Sequence, residues 1–61
     1  MIFTQALNLM CDSKRLTRKE WKNKDEYGLI QDDRLRIHTK GEYHDWILSY
    51  GDLLAEDWEE V

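Results

Sequence analysis

Apolar residues recur at helical spacing near the start of the chain. The positions i, i+3, i+4 and i+7 are occupied by Phe3, Ala6, Leu7 and Met10. Thr4 is a candidate N-cap because its hydroxyl can accept a backbone N–H, and residues 12–13 are the predicted exit. Two to three helical turns are marginal in isolation, so we expect this helix to pack on a sheet.

The middle of the chain alternates apolar and polar residues with the period of a half-buried strand. Leu35 and Ile37 alternate with charged or imidazole neighbours, and the pair 32–33 separates two such segments. This pair has no Gly, which the best two-residue turns contain, but a hairpin is the simplest interpretation. The predicted strands cover residues 15–18, 27–31 and 34–39, the predicted turns 22–26 and 40–41, and residues 42–48 form a strand or an ordered loop.

The last third of the chain predicts a second short helix and a closing strand. Ser49 followed three residues later by Asp52 is a capping-box arrangement, and Asp52 also suits the positive end of a helix. Leu53 and Leu54 are expected to point inward. Alternation over residues 56–61 predicts an edge strand whose acidic residues discourage aggregation.

Together these elements predict one compact α+β domain over residues 1–61, with a small twisted antiparallel β-sheet of about four to five short strands packed on one or two short helices.

A chain of 61 residues buries a limited core, so such domains often need additional stabilisation. Cys11 is the only cysteine, which excludes an intrachain disulfide, and neither His38 nor His44 has zinc-ligand spacing. We therefore expect no metal and a homo-oligomer, and we expect Cys11 to be a small buried hydrophobe and both histidines to be solvated.

Charge is divided between the two halves of the chain. Residues 14–24 hold six of the nine basic residues, whereas residues 42–61 contain seven acids and no Lys or Arg. The net charge of −4 argues against general nucleic-acid binding but allows a local basic pocket for one phosphate-bearing ligand. The alternative is that the two halves attract each other within or between subunits.

The lone cysteine and the lack of an apolar run or signal peptide predict no membrane association and a cytosolic protein.

Candidate chemistry is concentrated in the aromatic residues, because no catalytic or cofactor motif is present and we expect neither catalysis nor a cofactor. Trp21 lies among basic residues, three positions after Arg18. An indole can stack a base while nearby cations meet phosphate. The alternative is that Trp21 is a core residue that covers the helix.

A second candidate group surrounds the start of the predicted C-terminal helix. Trp46 and Tyr50 flank Ser49 and Asp52, whose oxygens can bind ribose hydroxyls or a base edge. The alternative for this group is helix capping combined with core packing. Trp58 is assigned to the core.

Both ends of the chain resemble one family. The segment "MIFTQALNLMCDSKRLTRKEW" is similar to the family opening M-x-F-x-x-A-L-x-x-L-x-x-G-K-x-V-x-R-x-G-W, and "WILSYGDLLAEDWEEV" is similar to the ending W-x-x-S-x-x-D-x-L-A-x-D-W-x-x-V. On these motifs the chain is identified as a compact member of the second Thoeris anti-defence family of phage and prophage proteins. It departs from the pattern at Glu20, where a small residue is usual, at residues 22–23, and in a shorter middle.

This resemblance implies a compact α+β fold assembled as a homodimer or homotetramer in the host bacterial cytoplasm. Members act as sponges that bind a cyclic ADP-ribose-type or cyclic oligonucleotide immune signal without cleaving it, and one branch inhibits CRISPR nucleases. The family positions that match are Trp21, Ser49 and Asp52. With Arg18 and Trp46 from the residue patterns, the predicted ligand-binding residues are Arg18, Trp21, Trp46, Ser49 and Asp52. A rival hypothesis is an anti-CRISPR-like inhibitor that binds a defence effector through an acidic surface.

Overall fold

A computed structural model describes all residues from 1 to 61, and it contains two helices and five strands. Each predicted element is present. A single-turn 3₁₀ helix at Lys19–Trp21, which the sequence analysis did not predict, follows the first strand. The helices are α1 (Phe3–Cys11) and α2 (Tyr50–Leu54), and the strands are β1 (Leu16–Arg18), β2 (Tyr27–Gln31), β3 (Arg34–Thr39), β4 (Glu42–Asp45) and β5 (Trp58–Glu60).

The strands form one antiparallel sheet in the order β4-β3-β2-β1-β5, which confirms the α+β prediction and places β5 at an edge. Two-residue turns connect β2 to β3 and β3 to β4. Asp32 and Asp33 have φ values of 54° and 61°, and Lys40 and Gly41 have 53° and 77°. Left-handed backbone at both central positions matches the twist of paired strands, so the hairpin forms even without Gly at residues 32–33.

One face of the sheet carries the hydrophobic core. The registers place Leu16, Gly28 and Trp58 on this face, and α1 contributes Phe3, Ala6 and Met10 to the same cluster. Leu16 and Ala6 are fully buried, whereas Met10 and Trp58 are 1% exposed. The predicted apolar face of α1 therefore packs on the sheet as expected.

The opposite face of the sheet carries a row of rings across three strands. Tyr27 stacks on His38 with ring centroids 4.7 Å apart, and its hydroxyl lies 3.1 Å from that of Tyr43. Arg15 lies over the Tyr27 ring at 5.3 Å. The hydrogen bond to Tyr43, together with burial, raises the pKa of Tyr27 above its ordinary value of 10.0. His38, predicted to be solvated, is instead half-buried in this row.

Three further local predictions are wrong. The N-cap of α1 is Ile2, whose N–H donates to Gln5 Oε1 at 3.2 Å, so Thr4 lies inside the helix. Cys11 is exposed at the last residue of α1 and is not one of the buried residues of that helix, which are Phe3, Ala6 and Met10. Leu53 and Leu54 do not point inward: they are 41% and 78% exposed, and α2 has no buried side chain.

Candidate functional site

Arg18 is the centre of an ion-pair cluster that connects three parts of the chain. Its Nε donates to Asp57 Oδ1 at 2.8 Å, its Nη1 to Asp52 Oδ1 at 3.3 Å, and its Nη2 contacts Glu20 Oε2 at 2.9 Å. The Arg18 side chain is 13% exposed and that of Asp52 is 14% exposed. β1 supplies the arginine, α2 supplies Asp52, and the residue before β5 supplies Asp57, so the cluster fixes the C-terminal segment against the sheet.

Asp57 accepts two short hydrogen bonds in this cluster. Besides the contact with Arg18, its Oδ2 accepts the backbone N–H of Glu20 at 2.9 Å. The hydrogen bond from Arg18, reinforced by this N–H, lowers the pKa of Asp57 below its ordinary value of 3.8. The same hydrogen bond raises the pKa of Arg18. Charge-assisted hydrogen bonds favour both ionised forms, so the pair is fully charged at neutral pH.

Ser49 and Asp52 form the capping box that the sequence predicts. The Ser49 hydroxyl accepts the Asp52 N–H at 3.1 Å, and Asp52 Oδ2 accepts the Ser49 N–H at 3.4 Å. The second bond is long, which leaves Oδ2 with capacity to accept a further donor. Both residues therefore support the backbone of α2, and Asp52 also neutralises Arg18.

The indoles of the chain meet in a single aromatic cluster. Trp21 approaches Trp46 with ring centroids 6.2 Å apart and Trp58 at 5.5 Å, both edge to face. Trp46 is 9% exposed and Trp21 is half-buried. The Trp58 Nε1–H donates to the carbonyl of Asp52 at 3.1 Å, which joins this cluster to α2.

The structure thus brings the five predicted site residues into one region. Arg18, Asp52 and Ser49 are linked by hydrogen bonds, Trp21 contacts Trp46, and Trp58 connects the two groups. Sequence reasoning missed Asp57 and Glu20 as partners of Arg18. The motif D-W at the end of the resemblance was the available signal for Asp57, and Glu20 is the position at which the chain departs from the usual small residue.

The charges in this region decide which side chains are free to contact a phosphate. Arg18 faces three carboxylates, so the cluster has an excess of negative charge and is poorly suited to an additional phosphate. Lys19 and Lys22 are exposed and belong to none of the ion pairs in the structure. These two lysines lie on either side of Trp21 in the sequence, and their charges are available to contact a phosphate. The single chain has no enclosed pocket in this region or elsewhere.

The protein is a small α+β domain in which Arg18 of β1 is ion-paired with Asp52 and Asp57 near the C-terminus. This cluster is connected through Trp58 to the packed tryptophans of the core. The model of the Thoeris anti-defense 2-like domain matches residues 1–61, the whole chain. The chain therefore belongs to the Thoeris anti-defence 2-like family, as its terminal motifs predict, and its role is phage anti-defence. No curated protein matches it. Neither helix has the length and hydropathy that crossing a membrane requires.

Because Asp57 is ionised in its pair with Arg18, we expect the folded state to lose stability in acid. A lowered pKa means that the folded state binds the Asp57 proton more weakly than the unfolded state does, so the contribution to stability is complete above about pH 5. It is lost as the pH falls through the ordinary value of 3.8 and then through the lower folded-state pKa. Asp57→Asn should lower the melting temperature at pH 7 and flatten its dependence on pH below about 5.

Thermal denaturation followed by circular dichroism between about pH 2 and 7 measures this effect. Glu56→Gln is the matched control, because it removes one carboxylate at a neighbouring exposed position whose side chain makes no ion pair. The control should keep the wild-type pH profile. If Asp57→Asn follows the wild-type profile as closely as Glu56→Gln does, the pair does not stabilise the fold.

Proposed function

We propose that this anti-defence protein binds a nucleotide-derived immune signal, of the cyclic ADP-ribose or cyclic oligonucleotide class, and sequesters it without cleavage in the host cytoplasm. The observation that carries the proposal is the position of Trp21. Its half-buried indole is fixed edge-on by Trp46 and Trp58, and it is flanked by the two unpaired cations Lys19 and Lys22.

The arrangement around Trp21 suits the parts of a nucleotide. An indole held by neighbouring rings presents its remaining surface to a base without losing conformational freedom on binding. Lysine ammonium groups can meet the phosphates as point charges. Under this proposal the phosphate contacts come from Lys19 and Lys22, and Arg18 acts by holding Asp52 in place.

Asp52 and Ser49 are the proposed contacts for ribose hydroxyls. Asp52 Oδ2 is engaged only by the 3.4 Å bond from the Ser49 N–H, so it can accept a ligand hydroxyl while Oδ1 stays on Arg18. Sequestration requires tight binding with slow release and no chemical step. Catalytic groups are therefore unnecessary for this function.

Calorimetry tests the proposal directly. Wild-type protein titrated with cyclic ADP-ribose isomers and with cyclic di- and trinucleotides should release heat for at least one of them at micromolar concentration. Mass spectrometry of ligand recovered after denaturation should show an unchanged mass. The absence of binding to every compound would contradict the proposal, and a cleaved ligand would contradict its non-catalytic part.

Trp21→Leu should weaken that binding by roughly ten- to a hundredfold, because one base–aromatic stack is worth about 1–3 kcal/mol. Tyr43→Leu is the matched control: it removes a 42% exposed ring on the opposite face of the sheet. Urea denaturation of both variants separates loss of ligand contact from loss of fold. Equal affinity for the wild type and a folded Trp21→Leu variant would remove Trp21 from the site.

A second function is favoured by one observation. Residues 42–61 carry seven acids without a Lys or Arg, and the four exposed ones lie in or next to the two edge strands, β4 and β5, where they can face a basic channel of a nucleic-acid-binding defence effector. Recovery of such an effector from host cells, in a complex that weakens strongly with salt, would support protein inhibition instead. Binding of a nucleotide signal without any recovered effector would exclude it.

A further inference from the structure

Glu20 is the most exposed of the three carboxylates that face Arg18. Its side chain is 70% exposed, whereas those of Asp57 and Asp52 are 29% and 14% exposed. An ion pair with a well-exposed partner contributes little to stability, because water screens the attraction and a long side chain must be held in one geometry. The fold therefore gains little from a third carboxylate on this guanidinium.

The backbone of Glu20 is fixed independently of its side chain. Its N–H donates to Asp57 Oδ2 at 2.9 Å, and the Lys19 N–H donates to the carbonyl of Asp57 at 3.2 Å. The 3₁₀ turn at Lys19–Trp21 therefore keeps these contacts when the Glu20 side chain is changed. A substitution at this position isolates the effect of the carboxylate.

The carboxylate of Glu20 covers one nitrogen of the Arg18 guanidinium. Nε and Nη1 donate to the two aspartates, and Nη2 lies 2.9 Å from Glu20 Oε2. A guanidinium nitrogen with a free approach is a strong partner for a phosphate oxygen. A phosphate that approached Nη2 in this chain would meet a carboxylate of its own sign.

The 3₁₀ turn separates charges of opposite sign around the proposed base contact. With three residues per turn, the side chains of Lys19, Glu20 and Trp21 leave in three directions. Trp21 approaches the other indoles, and Glu20 approaches Arg18. The Lys22 N–H donates to the Lys19 carbonyl at 3.2 Å, so the two exposed lysines lie one turn apart. A ligand at the indole therefore meets cations in one direction and an anion in another.

We propose that Glu20 is a specificity-determining residue that closes Arg18 to phosphate. The phosphates of a bound ligand are then directed towards Lys19 and Lys22, and the group that meets Asp52 is uncharged. Vicinal ribose hydroxyls fit this description, because they donate hydrogen bonds to a carboxylate. The statement about the ligand rests on the proposed function, whereas the closing of Arg18 does not. Of the two proposed classes of signal, Glu20 favours the one whose phosphates leave these hydroxyls free.

Pyrophosphate alone tests whether Arg18 is closed. In Glu20→Gln, which keeps the size of the side chain, the Arg18 Nε–H resonance should shift saturably with pyrophosphate. Its affinity should exceed that of the wild type by about fivefold, the effect in water of removing one unit charge about 4 Å away. Asp33→Asn is the matched control, since it removes a carboxylate from an exposed turn position that makes no ion pair. Equal affinities in the two variants, or a Glu20→Gln chain that does not fold, would overturn the proposal.

Two ligands with the same number of phosphates test the specificity. Cyclic ADP-ribose leaves the vicinal hydroxyls of its riboses free, whereas the phosphodiesters of cyclic diadenylate occupy one hydroxyl of each ribose. Calorimetry with the wild type should give about tenfold tighter binding of cyclic ADP-ribose. Glu20→Gln should reduce this ratio by about fivefold, and Asp33→Asn should preserve it.

A ratio that Glu20→Gln leaves unchanged, or a wild type that prefers cyclic diadenylate, would overturn the specificity. A wild type that binds no immune signal refutes the proposed function instead. The pyrophosphate titration then still decides whether Glu20 closes Arg18, so the two failures are distinguishable.

Discussion

Trp58→Ala is expected to leave the chain unfolded at 25 °C. Trp58 is 1% exposed and packs against Phe3 and Trp21, each with ring centroids 5.5 Å away. Removing a fully buried indole costs about 3–5 kcal/mol, and a domain of this size rarely has a net stability above about 3–5 kcal/mol. The substitution also leaves the carbonyl of Asp52 without the Trp58 Nε1–H.

Near-ultraviolet circular dichroism and urea denaturation measure this loss. Trp58→Phe is the informative companion, because it keeps a ring in the core and removes the hydrogen bond. It should fold, and its free energy of unfolding should fall by about 1–3 kcal/mol, which lowers the urea midpoint. A Trp58→Ala protein with a cooperative transition near that of the wild type would show that the core is centred elsewhere.

Gly28→Ala is expected to cost about 2–3 kcal/mol through overpacking. A Cβ at this position would lie 2.8 Å from Cε3 and Cη2 of Trp46 and closer still to Cζ3. The Trp46 ring has little room to withdraw, because Phe3, Trp21 and Trp58 approach it with centroid distances of 6.5, 6.2 and 5.7 Å. Gly28 is therefore required by the ring that lies across β2.

A double-mutant cycle tests this explanation. In the Gly28→Ala background, Trp46→Leu should cost less than it does in the wild type, since the smaller side chain relieves the collision. Gly51→Ala is the matched control: its Cβ would meet only Ser49 Oγ at 3.6 Å, so the change should stabilise α2 by about 0.5–1 kcal/mol. Additive free energies in the cycle would refute the steric account.

The pattern of apolar residues was sufficient to predict the architecture. The 3.6-residue spacing in α1 and the two-residue alternation around Leu35 and Ile37 both reflect a single buried face, and this is the information that periodicity contains. Leu53 and Leu54 show where such reasoning stops. They are two adjacent apolar residues in a predicted helix, and apolar character alone does not distinguish a side chain that faces the core from one that faces solvent.

The sequence indicated which residues belong to the site, but it did not indicate all of the hydrogen bonds between them. Ser49 and Asp52 are three positions apart, so their mutual capping follows from local geometry. The pairing of Arg18 with Asp57 joins β1 to the residue before β5, and only the sheet order β2-β1-β5 brings them together. Whether Trp21 and Trp46 serve a ligand as well as the core stays a prediction for the binding experiments.

The sheet order also has a consequence for the path of folding. β2, β3 and β4 are joined by two-residue turns, so their pairing closes short loops at small entropic cost. β1 and β5 pair residues from opposite ends of the chain, and Trp58 enters the core with β5. We therefore expect the β2-β3-β4 meander to form early and the docking of β5 to complete the core late. Under this expectation, substitutions in β5 raise the rate of unfolding more than they lower the rate of folding.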